Sequence, residues 1–174
     1  MDHPRLEGHG NHTLGNPLQN RTNNMPMKWF KFIIWFQLFA SAILNVLNGI
    51  VILNGSQYSG EAGTIYAQLV DFQRLDMAYG YSLLGLAGCG IYVRFRLSGF
   101  CKNGPMLHYA LLAVSIVLPL LYALAAKSLI DNAGYGSQLT PDFTSIIPNV
   151  STGTVMLTCN VFYFRKRNHL FVNE

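Results

Sequence analysis

Four stretches of this chain, residues 32–53, 77–93, 109–126 and 143–164, contain no Asp, Glu, Lys, Arg or His. Each is mostly apolar and long enough, as a helix, to cross a hydrocarbon layer about 30 Å thick. A helix in a soluble protein keeps a polar face studded with charges. These four have no charge on any face. Only 11% of the whole chain is charged, against about a quarter in an ordinary soluble domain. The expected fold class is therefore all-α, an integral membrane protein with four transmembrane helices over about 29–53, 75–93, 107–126 and 145–164. Residues 1–27 are polar, rich in Asn, His and Gly, and read as a disordered tail. Residues 28–167 form the membrane domain, and 168–174 form a short cytoplasmic tail.

The flanking charges set the orientation. Short basic flanks stay on the cytoplasmic side. Arg5, Arg21, Lys28 and Lys31 precede or open the first run, Arg94, Arg96 and Lys102 separate the second from the third, and Arg165, Lys166 and Arg167 follow the fourth. Arg74 and Lys127 alone fall on the opposite side, together with Glu61, Asp71, Asp76, Asp131 and Asp142. Both termini are expected in the cytoplasm, with two outward hairpins. Plasma or inner membrane fits better than an organelle. The Arg-x-Arg pairs at 94–96 and 165–167, each following a tyrosine at 92 or 163, mark inner helix ends at the lipid headgroups. They hint that the second hairpin is a degenerate copy of the first. The small-x-small pattern at 40–42 resembles a cleavage site, but the apolar run continues past it, so the first helix is expected to be uncleaved.

Within the runs, polar side chains fall into stripes at about 100° per residue. Gln37, Ser41, Asn45 and Asn48 share a face of the first helix. Ser115 and Tyr122 share one on the third, with His108 and Pro119, and Ser151, Thr154 and Thr158 one on the fourth. Lipid offers no hydrogen bonds, so these faces should turn toward other helices as an intramembrane polar seam. The second helix offers small residues instead: Ser82, Gly85, Gly88 and Cys89. Such residues allow close helix packing, within a four-helix bundle or between copies. The titratable groups Lys31, Asp76, His108 and Lys127 sit near helix ends, with none near mid-span.

There is no Cys-x-x-Cys, His-x-x-x-His, Gly-x-Ser-x-Gly or phosphate loop. No catalytic residue, metal or cofactor is assigned, and no nucleic-acid partner is expected. Cys89, Cys101 and Cys159 lie toward the reducing side and read as thiols. The functional expectation is a non-enzymatic accessory or interaction protein. Its partners would be membrane lipids, another membrane protein or a second copy of itself. The alternative is a small oligomeric channel or transporter that uses the polar seam.

Overall fold

The computed structural model describes residues 27–58, 60–134 and 146–173. The N-terminal tail before Met27, most of the second hairpin connection with Asp142, and Glu174 lie outside the described residues. Among those described the chain is helical, with no strand and one isolated bridge between Cys101 and Asn173. Helix α1 covers Lys28–Leu53. It passes through a π-helical turn at Ile33–Gln37 and continues as regular helix over Leu38–Leu53. A 3₁₀ turn, Ser56–Tyr58, leads to α2 (Ala62–Gln68) and then α3 (Val70–Ser98). Helix α4 covers Gly104–Asn132 and α5 covers Ile146–Arg165, followed by a 3₁₀ turn at Asn168–Leu170.

Helices α1, α3, α4 and α5 pack in chain order, each antiparallel to the next. Gly49 meets Gly80 at one end of the α1–α3 pair, and Trp35 meets Arg94 at the other. Tyr79 stacks on Tyr122 across α3 and α4, while Leu97 lies against Gly104. Ile116 contacts Gly153, and His108 contacts Phe164, across α4 and α5. Helices α1 and α4 are each long and apolar enough to cross a membrane, yet only 22% and 11% of their most apolar windows are buried. A core helix of a water-soluble protein would be mostly covered; these present apolar surface outward.

The breaks have local causes. Gly55 ends the first helix with φ +65, and a Cβ there would lie 2.7 Å from that of Ala62. Glycine is the residue that tolerates both demands. Leu69 leaves helical geometry (φ −129, ψ 73), which separates α2 from α3. Pro105 sits in the first turn of α4, where its missing N–H costs nothing. Both α3 and α4 run beyond their uncharged cores. Their flanking charges pair along the helix surface, Arg74 with Asp71 at 3.0 Å and Lys127 with Asp131 at 2.9 Å, at spacings that support a helix.

Helix α3 buries Phe72, Asp76, Gly80, Leu83, Ala87, Gly90, Val93 and Leu97, a stripe with helical spacing of three and four. At the arginine end, Phe30, Ile33, Leu38, Val93, Leu97 and Phe164 form the larger core cluster, and Phe171 joins it. The residues after α5 thus fold back rather than trail away. The backbone of Asn173 accepts from Lys102 N–H and donates to Phe100, and its side chain donates to Gly99. The close approach of α1 and α3 rests on Gly80, whose added Cβ would lie 2.8 Å from Leu53 Cγ and 3.3 Å from the Gly49 carbonyl. Gly85 and Gly88, expected to pack, face open space in the single chain. Gly80→Val should therefore lower stability by about 1–3 kcal/mol through overpacking. Gly85→Val should leave it nearly unchanged. Thermal unfolding of the two purified variants checks this; equal loss in both would contradict the packing described.

Candidate functional site

The buried polar side chains form two clusters, one toward each end of the helices. At the first end, Asp76 sits on the buried stripe of α3 and is only 1% exposed. Four side chains donate to its carboxylate. Gln57 Nε2 (3.0 Å), Tyr58 OH (2.6 Å) and Tyr66 OH (2.8 Å) reach Oδ2, and Tyr122 OH (2.7 Å) reaches Oδ1. An ionised carboxylate only accepts hydrogen bonds, and this set of neighbours only donates to it. Desolvating a carboxylate costs several kcal/mol. Charge-assisted hydrogen bonds at about 1.5–3 kcal/mol each are of the size needed to offset that.

The donors come from three elements. The turn after Gly55 carries Gln57 and Tyr58, α2 carries Tyr66, and α4 carries Tyr122. The Leu69 break lets α2 turn back across the start of α3. An apolar layer of Phe72, Ala126 and Ile130, with Ile65 and Leu69 against it, closes around the tyrosine rings. Tyr79 stacks on Tyr122 at 4.2 Å and holds that ring in place. Burial, and after it the hydrogen bond to Asp76, push the hydroxyls of Tyr58 and Tyr66 well above the ordinary tyrosine range.

At the other end Asn160 and His108 are fully buried, both 0% exposed. Trp29 Nε1 donates to Asn160 Oδ1 at 3.2 Å. Asn160 Nδ2 faces Gln37 Oε1 at 3.3 Å and His108 Nε2 at 3.1 Å. The indole N–H can only donate, so it fixes which end of the amide is oxygen. The amide nitrogen then donates to Nε2, and the neutral imidazole carries its proton on Nδ1. That Nδ1 is buried and has no hydrogen-bond partner among the described residues. The π-helical turn brings Gln37 to Asn160, since one extra residue in the turn rotates the later part of the helix about its axis.

Of the expected seam, Gln37 and Tyr122 reach these two clusters. Ser41, Ser115, Thr154 and Thr158 direct their hydroxyls to carbonyls of their own helices, at Leu38, Leu112, Val150 and Thr154. Asn48, Ser115, Ser151, Thr154 and Thr158 are exposed in the single chain, and Asn45 is half-buried. Ser82 and Cys89 are exposed as well. Among the basic residues, Arg165 and Lys166 are exposed. Arg94 and Arg167 lie over aromatic rings, 4.6 Å from Trp35 and 4.2 Å from Tyr163. Arg96 is half-buried, with Nε enclosed.

In the sequence Asp76 reads only as a charge near a helix end, and Gln57, Tyr58, Tyr66, Trp29 and Asn160 stand outside the polar stripes. One signal was present. Asp76 lies four residues before Gly80 and seven before Leu83, on the face where small and apolar residues recur. Among the described residues no group of three or more His, Cys, Asp or Glu is placed to hold a metal. No family model, characterised protein or solved structure matches the chain.

The Asp76 cluster leads to two expected outcomes. Asp76→Ala strands four donors in a buried site and should cost about 3 kcal/mol or more, read from thermal unfolding in detergent. Alkaline pH should also destabilise the protein. Above about pH 10 the unfolded chain releases its tyrosine protons while folded Tyr58 and Tyr66 keep theirs, so stability falls as pH rises. The double variant Tyr58→Phe/Tyr66→Phe should flatten that slope between about pH 9 and 11. An unchanged slope would place the alkaline sensitivity elsewhere.

Proposed function

We propose that the chain is a four-span integral membrane protein with both ends in the cytoplasm. Its role on this reading is non-enzymatic: it binds lipids or other membrane proteins through its outer surface. A plasma or inner membrane is the favoured location. The observation that carries this is how the polar groups are satisfied. Asp76 and Asn160 find their partners inside the chain, and the hydroxyls between the two ends bond to their own helices. Such an arrangement supports a packed interior rather than a lined path. The outer surface carries large apolar side chains, among them Trp35, Phe36, Leu44, Leu121, Leu124 and Phe162, each more than half exposed. In water such a surface would be a liability; against lipid it is ordinary. Lys28 and Lys31 open α1, Arg94 and Arg96 close α3, and Arg165 closes α5, which supports one cytoplasmic side for these ends.

An oligomeric channel or carrier is the second reading. It is favoured by Asn48, Ser151, Thr154 and Thr158, which face outward in the single chain and would line a path only between copies.

Labelling of single cysteines in a cysteine-free background with a membrane-impermeant thiol reagent separates these readings. Asp131→Cys should label in intact cells, and Lys102→Cys only after permeabilisation. Asn45→Cys and Thr154→Cys should stay unlabelled. Reaction at 45 or 154 would establish water at membrane depth and put the transport reading first. Lys102→Cys labelling in intact cells would reverse the orientation.

A further inference from the structure

An open groove of about 380 Å³ lies between α1 and α3 at the arginine end. Lys31 and Arg94 stand at it, and Phe30, Trp35 and Phe100 supply an aromatic lining. No carboxylate lines it, and neither cation is ion-paired among the described residues. Two positive charges beside one apolar surface, with no counter-charge at the groove among the described residues, make a site that suits an anion.

The guanidinium of Arg94 is built for that role. It lies over the Trp35 ring at 4.6 Å, a cation–π contact. Its Nε is enclosed and unbonded, while its terminal nitrogens are neither enclosed nor bonded among the described residues. This leaves the outer fork, the part that pairs with two oxygens of a phosphate. The π-helical turn Ile33–Gln37 carries Trp35, so a local distortion of α1 places the ring under the arginine. Phe100, in the left-handed region at φ 52, stacks on Phe30 at 5.1 Å and contacts Phe171 at 5.8 Å. The folded-back C-terminal segment thus braces one wall of the groove. Such strain in a non-glycine residue persists only where its surroundings hold it.

We infer that this groove binds one anionic phospholipid, with Lys31 and Arg94 on the headgroup phosphate and the aromatic side chains against the glycerol and upper acyl chains. The inference deepens the four-span reading and rests on it, because that reading puts this end at the cytoplasmic headgroups, where basic side chains attract anionic lipid.

The test uses the full chain in nanodiscs made from phosphatidylcholine and phosphatidic acid in equal amounts, with retained lipid identified by native mass spectrometry. The wild type should retain phosphatidic acid over phosphatidylcholine by about tenfold. Lys31→Gln, at an exposed position that leaves the fold alone, should reduce that preference several-fold. Lys31→Gln/Arg94→Gln should abolish it, and Arg165→Gln/Lys166→Gln should retain it. Equal retention of both lipids by the wild type, or equal loss in the two double variants, would overturn the site. Excess inorganic phosphate should displace no lipid; displacement would assign the groove to free phosphate and overturn the lipid assignment. A chain that does not enter a membrane would show earlier and differently, as protein eluting without a nanodisc, and a different span number or orientation would show in the cysteine labelling above.

Discussion

A carboxylate taken out of water must be met by donors, and Asp76 is met by four. This single requirement organises one end of the molecule. The donors come from the turn after α1, from α2 and from α4, so the carboxylate on α3 ties together elements far apart in the chain. No cation shares the work among the described residues; the ion pairs there are surface pairs along single helices. Phenolic hydroxyls suit such a site because each ring adds apolar area while its one polar atom is used up. The connection between α1 and α3, otherwise a glycine-rich loop, is thereby held against the helix ends.

The opposite end is held by other means. There Phe30, Phe100, Phe164 and Phe171 form an aromatic core, and Asn160 links α5 to α1 through Trp29 and Gln37 and faces His108 of α4. The π-helical turn serves both ends of this arrangement, aiming Gln37 inward at the amide and Trp35 outward under Arg94. One turn in from Asp76, α1 and α3 approach closely at Gly49 and Gly80, and farther along the same pair Gly90 faces Leu38 and Ala42. The interior thus alternates polar cluster, close-packed middle and polar cluster, and most of the remaining helix surface is left apolar.

Much of the helical architecture was legible because absence of charge is a strong signal over a long window. The helix limits were less so. Helix α3 begins at Val70 and runs to Ser98, because its flanking Asp71, Arg74, Arg94 and Arg96 are compatible with helix and sit on its surface. Gln37 and Tyr122, each on a polar stripe, reach the two buried clusters. A wheel drawn at constant pitch misses the π-helical turn, and it cannot tell that a hydroxyl such as that of Thr154 will bond to its own helix. The Asp76 cluster was hidden for a different reason. Its donors lie in a loop and a short helix whose fold-back depends on Gly55 and Leu69, and such tertiary meetings leave no periodic trace. The glycines of α3 look alike in sequence, yet Gly80 touches α1 while Gly85 and Gly88 face outward.

Asp76 and Tyr122 couple α3 to α4 through one hydrogen bond. A double-mutant cycle measures that coupling directly. Asp76→Asn, Tyr122→Phe and the pair together would be unfolded in the same detergent or lipid, and the stabilities compared. A coupling energy of about 1.5 kcal/mol or more is expected for a charge-assisted bond in a water-excluded site. Additivity within about 0.5 kcal/mol would mean that the two residues act independently, and that something other than this carboxylate holds the end of the molecule together.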